Sequence, residues 1–348
     1  MERLFREARE LIEIPSVTGN EGAAVDHAER LLEASGLPVR SIPVAPGRRN
    51  LLAGPSGAPV LLCTHLDTVP PHVPFREDET HLYGRGSCDA KGIAAAMLEA
   101  ARRLLTEGVR HFGLLFLVGE EVDNAGARAA NLQVRARHVI VGEPTRNLLA
   151  RGHKGILSFR LRAEGTAAHS AYPERGDSAI HRLLGALERI RAADFGSDPV
   201  LGPATVNVGR ISGGVAGNVL APEAWAEVVL RVVRPLEETE GRLRDCLAQK
   251  ADRPPDYRLS LEPITRMQPT TTGTLEGLPQ TVVAFGTDIP FLSEVGKPYL
   301  IGPGDILDAH TVRLVFPAPD GGVLYKLAHM HIANRQFYRE FGWGEKGW

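Results

Sequence analysis

Histidine, aspartate and glutamate recur at one kind of place in this 348-residue chain, the exit of an apolar run or the turn after it. His65 and Asp67 close "LLCTHLD", Asp89 stands in "YGRGSCDAKG", Glu120 and Glu121 end "LVGEE", and Glu143 follows in "VGEPT". In open α/β sheets, sites form outside the carboxyl ends of the strands. Several carboxylates converging there would repel one another and would be costly to desolvate. A divalent cation resolves both problems, because it turns the repulsion into ligation. A nitrogen-plus-oxygen donor set suits zinc, and manganese or cobalt could occupy it too. A single histidine or a Glu-Glu pair says little alone; the strand-end placement of the whole set, in this order, carries the metal reading. "GRGSCDAKG" lacks both the dinucleotide and the P-loop glycine spacing, which argues against a nucleotide site.

The elements that must hold these residues are legible as patterns. Residues 2–13 and 21–35 carry apolar residues at helical spacing, with Gly36 and Pro38 closing the second run. "NLLAGPSG", "APVLLCTHLD", "FGLLFLVGEE" and "HVIVGEPT" read as strands, the continuous apolar runs being those of a buried sheet. "AKGIAAAMLEAARRLLTEG" and "AGARAANLQ" read as helices between them. Strands alternating with helices place this half in the α/β class.

After residue 152 the texture changes. "KGILSFRLRAEG" alternates apolar and polar residues, as a sheet with one solvated face would. A helix in "DSAIHRLLGALERIRAA" follows, then strands in "ATVNVGRISGG" and "EAWAEVVLRVVRP", a helix over 236–249 and a strand in "YRLSLEPI". That β-α-β-β-α-β order is ferredoxin-like. The α/β character returns in "TVVAFGTDIPFLSEVGKPYLIGPGD". The expected layout is one α/β domain over 1–152 and 268–348, interrupted by an inserted α+β domain over 153–267.

Bulk composition narrows the class. A formal net charge of −2 favours neither nucleic acid nor an anionic membrane as a partner. Three cysteines without regular spacing fit a reducing compartment better than a disulfide framework. The amphipathic start, with mixed charges, is neither a signal nor a transit peptide, and no run reaches the length of a membrane span. The expectation is a soluble, cytoplasmic α/β protein.

At this point the sequence resembles the M20 family of metallopeptidases and deacylases. "THLDTVP", "GRGSCDAKGIAAAMLEA", "GEEVDNAGA", "GEPT", "GTAAHSAYPERGDSAI" and "GPGDILDAHT" look like its successive signatures, in order, from residue 1 to about 311. The resemblance implies an α/β zinc-peptidase-like catalytic domain with an inserted ferredoxin-like α+β domain for lid and dimerisation, and a homodimer built through it. It implies two zinc ions per chain (cobalt or manganese as alternatives), with His65 and Glu143 on one, Glu121 and His310 on the other, and Asp89 bridging. Asp67 would orient His65 from its other ring nitrogen, and Glu120 would be the general base. A cis peptide bond after Asp89 is also implied. In the inserted domain, His169 matches a histidine that serves a neighbouring subunit's active site. Asn218 and Arg231 match residues that bind the substrate carboxylate or close the site.

The implied activity is hydrolysis of the amide bond of a small N-acyl amino acid. Short length and "ARGHKGIL" lean towards acetylornithine deacetylase and the lysine hydrolase that acts on an amino-group carrier protein. The alternatives are an M20 carboxypeptidase or dipeptidase and, from another class, a binding protein without the chemistry. After "DAHT" the sequence departs from the family pattern with two prolines and a Gly pair, as either a variant tail or a shifted reading frame. His329 and His331 in that tail read as surface residues and not ligands.

Overall fold

The computed structural model describes residues 2–78, 82–248, 258–306 and 312–313. They form two compact units. The first takes the described residues up to Arg151, Thr272–Thr281 and those from Thr287 onward; the second takes Gly152–Thr271 and Val282–Gly286.

The first unit contains helix α1 (Glu2–Glu13), helix α2 (Gly22–Glu33), strands β1 (Val39–Ala45), β2 (Arg48–Ala53) and β3 (Val60–His65), helix α3 (Lys91–Thr106), strand β4 (Phe112–Leu117), helix α4 (Ala125–Gln133) and strand β5 (His138–Val141). Strand β6 (Leu149–His153) carries the chain into the second unit. That unit holds β7 (Gly155–Glu164), α5 (Ala179–Ala192), β8 (Thr205–Gly213), β9 (Glu223–Val232), α6 (Leu236–Leu247) and β10 (Leu259–Met267). Strand β11 (Lys297–Leu300) belongs to the first unit again.

Within the large sheet, nine-stranded among the described residues, the order is β1-β2-β4-β3-β5-β11-β6, and the short strands Thr270–Thr271 and Gln280–Val283 both pair with β6. Its four central strands, β4, β3, β5 and β11, are parallel. Every residue of β3, β4 and β5 is buried, which is what their unbroken apolar sequences require. Helix α1 buries Leu4, Ala8, Leu11 and Ile12, the i, i+4, i+7, i+8 stripe of an amphipathic helix. Helix α3 buries most of its alanine-rich length, since small side chains let it lie close to its neighbours. Strand β1 was not foreseen. It carries Pro43, which the sequence pattern treats as a breaker, and it survives as an edge strand whose pairing shifts between Pro43 and Ala45.

The second unit is an antiparallel sheet of order β8-β9-β7-β10, with α5 and α6 packed on one face. Residues of β9 alternate between buried and part-exposed along the strand, the period-two signature of a sheet covered on one side. Among the described residues no helix is long and apolar enough to cross a membrane.

Candidate metal centre

Because β3, β4, β5 and β11 are parallel and adjacent, their carboxyl ends open on one edge of the sheet. His65 is the last residue of β3 and is buried. Two residues on, the fully buried Asp67 receives hydrogen bonds from the backbone N–H of Glu120 to Oδ1 (3.0 Å) and of Glu121 to Oδ2 (3.1 Å). The Thr18 hydroxyl donates to its Oδ2 at 2.7 Å. The turn after β4, which carries Glu120 and Glu121, is thus fastened to the exit of β3. Gly119 starts that turn at φ +84°, a conformation open to glycine at little cost. Beyond it, the Asn50 side chain accepts from Val118 N–H at 3.1 Å and donates to the Gly126 carbonyl at 2.8 Å, stapling the exit of β4 to the first turn of α4. A Cβ on Gly126 would stand 2.3 Å from the Val118 oxygen, so the close approach requires glycine.

Asp89 ends the loop before α3, and the Asp89–Ala90 bond is cis, as the resemblance implied. The loop returns its side chain to the strand ends, where an Asp89 oxygen lies 3.0 Å from His65 Nε2. Glu143, two residues past β5, is buried. One ligand atom each from His65, Asp89 and Glu143 lie within 4.8 Å of one another. The donor set is one imidazole nitrogen and two carboxylates, which fits a divalent ion of the zinc, cobalt or manganese kind. Glu121 is not part of that trio; its carboxylate receives the Val69 N–H and feels the negative charge of Asp89. His65 Nδ1 meets the Asp67 backbone carbonyl at 3.0 Å and the Asp67 carboxylate at 3.4 Å. Both partners of Nδ1 come from Asp67, and they leave Nε2 to face Asp89.

The electrostatics of this cluster are strained in one direction. Burial pushes Glu120 well above the usual carboxylate range, and the charges of Glu143, Asp288 and Glu121 add to it while His65 opposes. Burial also raises Glu143, with Asp89 next, and it brings Glu121 to about 7, again with Asp89 next. For His65, burial works the other way. Its hydrogen bonds to Asp67 and Asp89 prevail and hold it well above an ordinary histidine. Asp67 is held low: burial would raise it, but the His65 contact and the Thr18 and Glu121 donors win. Carboxylates crowded together away from water are the state a divalent cation relieves.

Four further residues were missed by sequence reasoning. Thr18 and Lys91 attach the N-terminal segment to the site. Asn124 Nδ2 donates to the Glu120 carbonyl at 3.1 Å and to Asp288 at 3.0 Å. Asp288 is buried and lifted to about 7, chiefly by that burial. The available signal for Asp288 was a carboxylate set among apolar residues in "FGTDIPFL".

The other expected residues lie elsewhere. His310, His329, His331 and the departing tail beyond Arg313 are outside the described residues. His169, Asn218 and Arg231 belong to the second unit. There His169 pairs with Val219 in an isolated bridge, and Ser170 N–H donates to the Asn218 carbonyl at 2.8 Å, so two of the three are brought side by side. Both are exposed. Arg231 lies in β9 between Thr205 and Ile156, part-buried, and burial lowers its guanidinium pKa.

Residues 151–254 match the family model described as the peptidase dimerisation domain of M20 proteins. A peptidase M20 domain-containing protein of Schizosaccharomyces pombe is 37% identical, the match covering 87% of this chain and 77% of that protein. A protein of Aspergillus terreus named "probable carboxypeptidase" is also 37% identical, over 87% of this chain and 79% of its own. Among solved structures, a tripeptidase from Staphylococcus aureus superposes with a TM-score of 0.73 at 21% identity, covering 94% of this chain and 95% of that one. A dinuclear metal-binding peptidase of the M20 family from Bacillus subtilis superposes with a TM-score of 0.62 at 16% identity, covering 94% and 95%. With the ordered signatures, the strand-end acid cluster and relatives this similar over most of their length, the chain belongs to the M20 peptidase family.

Proposed function

We propose that this chain is a carboxypeptidase-type exopeptidase that uses two divalent ions to release an amino acid from the end of a short peptide. As an M20 family member it is a metal-dependent hydrolase. The observation that carries the finer reading is the convergence of His65, Asp89 and Glu143 beside a part-buried Glu120 whose proton affinity is raised. The name borne by the Aspergillus relative favours a carboxypeptidase over the acetylornithine or carrier-protein deacylase leaning taken from the sequence.

In this reading His65 and Glu143 would hold one ion and Glu121 and His310 the second, with Asp89 as a ligand they would share. The ions, zinc in the first instance, would supply a nucleophilic water at neutral pH and polarise the scissile carbonyl. Glu120 takes the proton from the attacking water and delivers it to the leaving amine. Its raised proton affinity suits the task, because a carboxylate of ordinary pKa would be a weak base at neutral pH. Asp67 keeps His65 turned towards the site through both of its contacts to Nδ1. Asn218 and Arg231 recognise the terminal carboxylate of the substrate, Arg231 by a bidentate contact. His169 donates to the developing oxyanion in the site of a second subunit of a homodimer built through the dimerisation domain. The cytoplasmic setting read from the sequence belongs to the same proposal.

The direct test compares a short N-blocked peptide bearing a free terminal carboxylate, its C-terminal amide, and N-acetylornithine. The free peptide should be cleaved, the amide should be resistant, and a chelator should abolish the reaction. Faster turnover of N-acetylornithine would restore the deacylase reading. Glu120→Gln should keep its metal and lose at least about 100-fold in kcat, whereas Glu121→Gln should lose metal; equal metal loss in both would mean the two roles are wrongly assigned.

The acid cluster also predicts a pH dependence. Glu121 and Asp288 each titrate at about 7 in the folded chain, against ordinary values of 4.5 and 3.8. At these two sites the folded chain holds protons that the unfolded chain has released, so their contribution to stability falls as pH rises from about 4 through 7; buried His138 and His153, lowered to about 4, act the other way only up to about 6.5. Metal-stripped protein should melt lower at pH 8 than at pH 5, roughly, and zinc should raise Tm more at the higher pH. A metal-stripped Tm that does not fall over this range would contradict the reading of the cluster.

Subunit sharing can be tested by complementation. Mixing inactive His169→Ala chains with inactive Glu120→Gln chains should give hybrid dimers with one complete site and recover part of the activity. An active monomer, or no recovery despite subunit exchange, would refute the role of His169 across an interface.

A further inference from the structure

We propose that the segment Ile14–Thr18 is a strap that positions the metal-holding side chains, with Thr18 and Lys91 as its two clamps. The proposal rests on the reading of His65, Asp89 and Glu143 as metal ligands.

The chain leaves α1 at Glu13 and, before α2 begins at Gly22, passes along the exit of β3. It is held there by backbone. Thr68 N–H donates to the Ser16 carbonyl at 3.0 Å and Thr18 N–H to the Thr68 carbonyl at 3.3 Å, forming a parallel bridge at Val17 and Thr68. The fully buried Ser16 hydroxyl adds a bond to the Leu66 carbonyl at 2.7 Å. From this platform the first clamp projects: Thr18 Oγ1 donates to Asp67 Oδ2, the oxygen that also receives the Glu121 N–H. One hydroxyl thus bears on the carboxylate that orients His65 and pins the Glu120–Glu121 turn.

The second clamp comes from the start of α3. Lys91, the first residue of α3, is completely buried, an unusual place for a lysine. Its ammonium donates to the carbonyl of Ile14, just past the end of α1. Carbonyls at a helix C-terminus lack intrahelical partners, and the negative end of the helix favours a cation there. The bond therefore caps α1 and at the same time anchors the start of α3, two residues beyond Asp89. Its backbone completes the anchor, with Lys91 N–H bonded to the Gly86 carbonyl at 2.9 Å across the Asp89 loop. The two clamps join residues 49 and 77 positions apart, and between them they reach both loops that carry the His65–Asp89 contact.

Thr18 and Lys91 act through Asp67 and Asp89, so they are positioning residues. Loss of an outer partner of this kind lowers metal affinity about 10- to 100-fold. The test uses full-length protein stripped of metal and titrated with zinc against a chromophoric chelator, alongside thermal unfolding of the metal-free forms. Thr18→Val and Lys91→Met should bind zinc about 10- to 100-fold more weakly, and Thr18→Ser, which keeps the hydroxyl, should bind as wild type does. If Lys91→Met does not fold, the Thr18 pair decides the question. A lower Tm in Thr18→Val with unchanged zinc affinity would show a merely structural contact and overturn the proposal. Wild-type protein that takes up no zinc would overturn the ligand reading itself, and the strap with it.

Discussion

The Asp67 carboxylate is the constraint on which the rest of the site depends. It is fully buried and receives two backbone N–H groups and one hydroxyl, while its residue also meets His65 Nδ1 through the backbone carbonyl. Those partners come from three separate stretches of chain, at residue separations of 49, 53 and 54 for the ones beyond its own strand. A buried charge with this many donors is held ionised, and each donor left without it would be a buried unsatisfied group. One carboxylate therefore fixes where the β3 exit, the Glu120–Glu121 turn and the N-terminal segment meet.

Around that fixed point the acids are placed against their own electrostatics. Parallel strands must be buried on both faces, so their carboxyl ends open in a low-dielectric setting. Glu120, Glu121, Glu143 and Asp288 are all pushed up by burial and by the negative charge of neighbouring carboxylates. Asp67, in the same place, is held down because its donors outweigh its burial. The contrast separates a structural carboxylate from carboxylates that await a cation or a proton.

Most of the frame was legible in the sequence because it obeys simple periods. The unbroken apolar runs of β3, β4 and β5 announced both the buried sheet and the residues at its exits, and α4 spans the residues of "AGARAANLQ". The alternation along β7 likewise announced the one-sided sheet of the second unit. What stayed hidden acts at long range or against local propensity. Strand β1 was masked by Pro43. Thr18, Lys91 and the Asn124–Asp288 pair are joined to their partners across 49, 77 and 164 residues, and a lone threonine, lysine or asparagine carries no periodic signal. The family resemblance supplied ligand roles but not this outer layer of hydrogen bonds. It also leaned towards a deacylase, whereas the "probable carboxypeptidase" relative favours its alternative.

The central claim is that the buried acid cluster is built to hold two divalent ions. Crystals grown with zinc, measured at the zinc absorption edge, test it most directly. The account predicts two anomalous peaks, one against His65 and Glu143, the other on the Glu121 side, with Asp89 reaching both. Zinc-dependent hydrolysis by a protein whose anomalous peaks lie away from these residues would contradict it.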